Sequence, residues 1–151
     1  MQVIKLPSRS MRTAPTPKRR SGCPISVALE TLGDSWSLLI VRDLMFKGRR
    51  TFNEFLNAEE RIASNILADR LQRLEANEII TKRRDPIDAR RIVYRLTEKG
   101  IALAPVLIEL VIWSARHERT DAPPSVVQEM ASHPKGCIAR ARKEWRASCS
   151  S

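Results

Sequence analysis

A chain of 151 residues with 42% hydrophobic residues is long enough for one domain with a real core and short for two. A formal net charge of +10 and a pI near 10.4 favour a polyanionic partner, either nucleic acid or an anionic membrane surface. No run approaches the roughly 20 apolar residues that span a bilayer and no apolar signal core opens the chain, so neither a membrane-spanning nor a secreted protein is expected.

The charge is unevenly spread. Residues 1–22 carry six Lys/Arg (Lys5, Arg9, Arg12, Lys18, Arg19, Arg20) and no acid, and residues 116–151 carry seven against four Asp/Glu. That leaves only +1 for residues 23–115, so a specific nucleic-acid surface there has to come from arrangement and not from bulk charge. Pro7, Pro15 and Pro17 break any amphipathic helix in the basic N-terminus, which speaks against organellar targeting. Three cysteines (Cys23, Cys137, Cys149) form no close pair, and a reducing cytoplasm is the expected setting. His117 and the His133/Cys137 pair are too sparse for a metal site, and no metal or cofactor is expected.

The first ordered element is predicted to begin at Cys23-Pro24, with proline suited to a first helical turn, and to stop at Gly33. Asp34 and Ser35 then cap a helix over WSLLIVRDLMF, apolar almost all round and therefore central to the core, ended by Gly48. Thr51 and Glu54 have capping-box spacing and predict a short helix over TFNEFLNAEE. After a turn at Arg61-Ile62-Ala63, the stretch ASNILADRLQRLEA is an amphipathic helix. Placing Leu67, Leu71 and Leu74 on its buried face puts Asn65, Asp69, Gln72 and Ala76 opposite, at about 100° per residue.

The period then changes. Ile80, Lys82 and Arg84 alternate, a turn follows at Asp85 to Ala89, and Ile92, Tyr94 and Leu96 alternate, which predicts a hairpin rich in basic residues. Thr97 caps a further long apolar-faced helix through His117, with Pro105 either kinking it or marking its true first turn. From Asp121 the chain is Pro- and Ser-containing and basic, and GCIARARKEWRA reads as a short helix or as nothing fixed.

Short helix, turn, amphipathic helix and basic hairpin make a winged helix-turn-helix order, mainly α with a small β-hairpin. Such a helix fits the major groove of DNA and such a hairpin reaches the neighbouring backbone or minor groove. The segments CPISVALETLGDSWSLLIVRDLMFKGRRTFNEF, IASNILADRLQRLE and RRDPIDARRIVYRLTEKGIALAPVL together resemble the HxlR-type family of bacterial transcriptional regulators, over roughly Cys23 to His117. The resemblance implies a homodimer joined by the first and last core helices, a recognition helix starting at Ser64, a wing over Lys82 to Arg95, and double-stranded operator DNA as partner. It also implies, for some members, a response to an electrophile or small-molecule inducer through a cysteine near the N-terminus, where this chain has Cys23. Two positions depart from the usual family glycines: Glu78 after the recognition helix, which leaves Asn77 to supply any left-handed turn, and Ala89 at the wing tip.

These readings give a basic N-terminal arm over 1–22, a winged-helix domain over 23–118 and a basic C-terminal tail over 119–151. The expected function is a homodimeric DNA-binding repressor on a palindromic operator, cytoplasmic, with no membrane partner. The expected DNA-contacting residues are Ser64, Asn65, Asp69, Arg70, Gln72, Arg73, Arg84, Arg90 and Arg91, with Asp69 either meeting a base or orienting Arg73 four residues on. No nucleotide-binding glycine loop, carboxylate pair or nucleophile–base arrangement is legible, so no enzyme is expected. Two rivals stand beside this reading: a sequence-tolerant nucleic-acid-binding protein that relies on its basic tails, and a thiol or ligand sensor that acts mainly through a protein partner.

Overall fold

The computed structural model describes residues 18–150; most of the expected N-terminal arm lies outside them. Helix α1 spans Pro24–Leu32, with Pro24 in its first turn and the Gly33 N–H closing onto the Leu29 carbonyl at 2.8 Å. None of its residues is buried. Asp34 starts the next helix: its Oδ1 accepts from the backbone N–H groups of Trp36 and Ser37 at 2.8 and 2.9 Å. This satisfies donors that a helix start leaves open. Helix α2, Ser37–Arg42, runs on through a π-helical turn, Asp43–Lys47, to Gly48, whose left-handed φ of 67° ends it.

Helix α3, Phe52–Leu56, opens with the predicted capping box, in which Thr51 and Glu54 exchange bonds. Helix α4, Ser64–Ala76, buries Leu67, Leu71 and Leu74 essentially completely, as the leucine spacing predicts. Its C-terminus carries a Schellman arrangement: Ile79 N–H bonds to Leu74 O and Glu78 N–H to Glu75 O, both at 2.9 Å, with Leu74 and Ile79 buried beneath. The left-handed residue is Glu78 itself (φ 58°), whereas Asn77 keeps φ −89°, so the expectation that Asn77 makes this turn is corrected. The position follows from the hydrogen-bond pattern, which fixes the residue after the cap, whatever its propensity. At the wing tip Ala89 does not take a positive φ.

Because a side chain in the left-handed region is strained, Glu78→Gly is expected to stabilise the fold by roughly 0.5–1 kcal/mol, after the entropic cost of glycine is subtracted. A rise in the urea midpoint with an unchanged m-value checks this.

Strands β1 (Ile80–Arg84) and β2 (Ile92–Leu96) pair antiparallel, with Ile80 opposite Leu96 and Arg84 opposite Ile92. Ile80, Tyr94 and Leu96 share the face toward the core, where Ile80 and Leu96 are buried and the Tyr94 ring lies 6.1 Å from that of Phe55. The long helix expected after Thr97 is two. Helix α5, Glu98–Ile101, is capped by Thr97, and helix α6, Ala104–His117, has Pro105 in its first turn, so proline marks a start and not a kink.

In the C-terminal segment, expected to be a basic tail with GCIARARKEWRA either a short helix or nothing fixed, the chain forms α7, Pro124–Ser132, and a longer helix α8, Pro134–Cys149. Helix α8 is held on one side by Cys137, packed with Ile108 and Ile112 of α6. On the other side Ala141 and Trp145 join the main core, and Trp145 Nε1 donates to the Leu96 carbonyl at 2.9 Å. Apolar side chains remain exposed in stripes on α1 (Ile25 and Leu29) and α6 (Val106, Leu110 and Trp113), and singly at Phe46, Ile87 and Val126. Among the described residues no helix is long and apolar enough to cross a membrane.

Candidate nucleic-acid interface

Helix α4 presents one sealed face and one open face. Opposite the buried leucines lie Asn65, Ala68, Asp69, Gln72 and Ala76, all exposed, with Ser64 exposed at the helix start. Asn65 and Gln72 are seven residues apart, about 10 Å along the axis, or roughly three base-pair steps. Their amides can each pair two atoms of an adenine edge, Asp69 can accept from a cytosine amino group, and the two alanines permit close approach or contact with a thymine methyl.

The arginines of α4 lie elsewhere. Arg70 is half-buried, pairs with the adjacent Asp69 and has its Nε 3.1 Å from Asp34 of the α1–α2 turn. Burial pushes the Asp34 carboxyl up, but hydrogen bonds from Ser37 and from the Trp36 and Ser37 backbone, together with the Arg70 charge, hold it below the usual carboxylate range. Arg73 donates through Nη2 to the Glu30 carbonyl of α1 at 3.2 Å. Both arginines therefore reach back to the first helices, Arg70 half-buried and Arg73 still exposed at the flank of the outward face. Asp69 is paired with Arg70 and not with Arg73. Sequence reading missed Asp34 as a clamp on the recognition helix: its capping role was visible, but a partner 36 positions away is not readable from local spacing.

The wing carries Arg84, Arg90 and Arg91, each with its own partner. Arg84 Nη1 donates to Ala89 O at 3.0 Å and so braces the tip. Arg90 is almost fully exposed, with Nε 3.4 Å from Asp88. Arg91 lies between Glu54 of α3, at 3.9 Å, and Asp85, at 4.0 Å, which links the wing to the helix-turn-helix. Burial raises the Glu54 carboxyl, but the Arg50 and Thr51 backbone bonds, with Arg91 nearby, bring it below its ordinary value. Lys82 Nζ sits 3.0 Å from Glu75 of α4 and makes a second such link.

Cys23 is exposed at the start of α1, and hydrogen bonds from the Ser26 and Ile25 backbone lower its pKa, as expected for a thiol at a helix N-terminus. Cys137 is buried and Cys149 exposed, and neither is in a disulfide. Among the described residues no three His, Cys, Asp or Glu side chains are grouped to hold a metal ion.

A three-helix core that positions α3 and α4, followed by a two-stranded wing ion-paired to both, defines a winged helix-turn-helix DNA-binding protein. The HxlR-like helix-turn-helix family matches residues 31–122, and the chain belongs to that family of transcriptional regulators. It is 38% identical over 93 residues to the HTH-type transcriptional regulator YodB of Bacillus subtilis, covering 61% of this chain and 82% of YodB. Among solved structures it is similar to PA1607, a putative transcription factor, with a TM-score of 0.61 and 35% identity over 69% of this chain and 71% of that one. It is also similar to the redox regulator HypR in its oxidized form, with a TM-score of 0.58 and 26% identity over 65% of this chain and all of that one. The quinone-bound form of YodB matches with a TM-score of 0.51 and 35% identity over 61% of this chain and 96% of that one. Helices α7 and α8 lie beyond the segment that the family matches.

Proposed function

We propose that the chain acts as a homodimeric repressor that recognises a palindromic DNA operator through α4 in the major groove, with the wing on the adjacent backbone, in the cytoplasm. The observation that carries this reading is the outward face of α4: amides and a carboxylate, with Arg73 the one cation at its flank, on a helix whose other face is closed by leucines. Such a face contributes little general attraction to DNA and strong discrimination, since a carboxylate beside a phosphate or a wrong base costs binding. General attraction falls to Arg73, Arg90 and Arg91, to Arg84, and to the basic N-terminal arm. Arg70, clamped by Asp34, acts by holding α4 in place.

A homodimer is supported by the unpartnered apolar stripes, Ile25 and Leu29 on α1 and Val106, Leu110 and Trp113 on α6, at helical spacings of four and three. A two-fold arrangement sets two recognition helices about 34 Å apart, in successive major grooves. Deleting residues 1–22 tests the reading against a sequence-tolerant binder. The truncated protein is expected to keep its preference for an operator, selected from a random DNA pool, over random DNA. Loss of that preference together with nearly all binding would favour the rival.

A second reading adds an inducer. Exposed Cys23 with its lowered pKa stands in a relative of proteins described as a redox regulator and as quinone-bound, which supports modification of this thiol by an oxidant or electrophile as the release signal. The linkage has a sign: with the pKa depressed, the thiolate fraction and the alkylation rate rise at a lower pH than for an ordinary thiol. The reading expects Cys23 to be alkylated at neutral pH faster than Cys149, and Cys23→Ser to make the operator complex insensitive to oxidant; an unchanged response in that variant removes Cys23 from the mechanism.

A further inference from the structure

Helices α7 and α8, which lie beyond the family-matched segment, leave an open recess of about 270 Å³ between themselves and the π-helical turn after α2. Val126 and Met130 of α7, Cys137 and Ala141 of α8 and Phe46 of the turn give it an apolar lining. Phe46 is 40% exposed and joins neither apolar cluster among the described residues, whereas its neighbours Leu44 and Met45 are buried in the main core. The recess shares no residue with the one beside Cys23. It also lies on the side of α6 that α8 occupies: Cys137 packs with Ile108 and Ile112, on the opposite face of that helix from the exposed stripe Val106, Leu110 and Trp113. A dimer that covers the stripe therefore leaves the recess open.

Three charged side chains border the recess. Arg140 pairs with Glu129 and donates to Cys137 Sγ at 3.6 Å, which ties α7 to α8 and matches those two charges. Glu144 stands one turn further along α8 without an ion pair to a described residue, because Arg140 is turned to Glu129 and Arg142 to Glu98. Two carboxylates against one guanidinium leave an excess of one negative charge here, on a chain whose formal net charge is +10. Glu144 and Phe46 also form the wall shared with a second recess of about 260 Å³, which carries Arg50.

An aromatic ring, a thioether and a carboxylate without a partner suit a ligand with an apolar body and a positive charge. The negative face of a ring and a carboxylate both attract a cation, and a thioether packs well on an aromatic ligand. The volume is near the lower end for small-molecule sites, roughly 300 Å³, which fits a single-ring compound. The position suits regulation. The π-helical turn begins at Asp43, whose carboxylate holds Arg42 and Arg49, and these reach Glu60 and Glu59 in the turn before α4. Such turns recur at functional sites, and a ligand against Phe46 bears directly on this one.

We propose that this recess is an effector site for a small aromatic amine in its ammonium form, with the ring against Phe46 and Met130 and the charge on Glu144. The effector role rests on the DNA-binding reading above; the binding site itself does not.

The test titrates the full chain, first without DNA, with phenethylammonium and with its uncharged and anionic counterparts, phenethyl alcohol and hydrocinnamate, followed by NMR. Wild type is expected to bind the ammonium about tenfold more tightly than either counterpart, with shifts at Phe46 and Met130. Glu144→Gln is expected to bind ammonium and alcohol equally, and Phe46→Ala to lose all three; thermal melting confirms that both variants fold. No binding, equal binding of the three probes by wild type, or undiminished selectivity in Glu144→Gln overturns the site. Operator affinity is then measured with and without saturating phenethylammonium, where a change of about fivefold is expected in wild type and none in Glu144→Gln. Unchanged operator affinity in a wild type that binds the amine overturns the effector role. A wild type without operator preference fails the DNA-binding reading and the effector role with it, while the titration without DNA still decides the site.

Discussion

Asp43→Ala is expected to lower the free energy of unfolding by about 3 kcal/mol, the lower end of the cost of stranding charges in a broken buried pair. The carboxylate is almost fully buried, and its Oδ1 accepts from Arg42 Nε at 2.9 Å, Arg42 Nη2 at 2.7 Å and Arg49 Nη1 at 3.0 Å. Removing it leaves two guanidiniums facing each other across a space without an anion. The loss stays at the lower end because both arginines keep outer partners, Glu60 and Glu59, and about a fifth of each side chain remains exposed to water. Asp43→Asn retains an acceptor and is expected to cost less. Because Glu59 and Glu60 lie in the turn between α3 and α4, the network ties the central helix to the helix-turn-helix, and its loss is expected to weaken operator binding as well. Urea unfolding of the two variants checks the order, and an alanine variant as stable as wild type would contradict the role given to this carboxylate.

Gly100→Ala is expected to cost a further comparable amount, about 3 kcal/mol, although alanine is ordinarily the better helix residue. A Cβ at this position would stand 2.2 Å from the Ile79 carbonyl oxygen and 3.0 Å from Leu96 Cδ2. That carbonyl cannot simply move: it already accepts from the Thr97 backbone and hydroxyl, each at 3.1 Å, at the joint where α4 passes into the wing. The clash is with backbone in a fully buried setting, so relief requires α5 to shift away from that joint. The expected signature is a lower urea midpoint together with weakened DNA binding under conditions where the variant is still folded. Wild-type stability would contradict the close approach of α5 to the α4–β1 turn.

Much of the DNA-binding half was legible because its signals are local. The Thr51/Glu54 box, the leucine spacing of α4 and the alternation through Ile80–Arg84 and Ile92–Leu96 each act within a few residues, and each has its expected counterpart in the fold. The failures share a different origin. Helix α8 has a weak apolar pattern, and what orders it is contact with Leu96, Ile108 and Ile112, far away in the chain. The pairing of Arg70 with Asp34 was not legible for the same reason, and the turn at Glu78 was given to Asn77 because propensity was weighed before the hydrogen-bond pattern that fixes the left-handed position. The near-neutral charge of residues 23–115 is reflected in the outward side of α4, where amides and a carboxylate are exposed beside a single exposed arginine, Arg73.

On the proposed function, discrimination between DNA sequences resides in that face of α4. The most direct measurement is the affinity of an Asn65→Ala, Gln72→Ala double variant for an operator selected from random DNA, beside its affinity for random DNA, at fixed salt. Two lost base contacts, each worth roughly 1–3 kcal/mol, predict at least a tenfold loss on the operator and near-wild-type binding to random sequence. Equal operator affinity in the double variant and the wild type would contradict the claim.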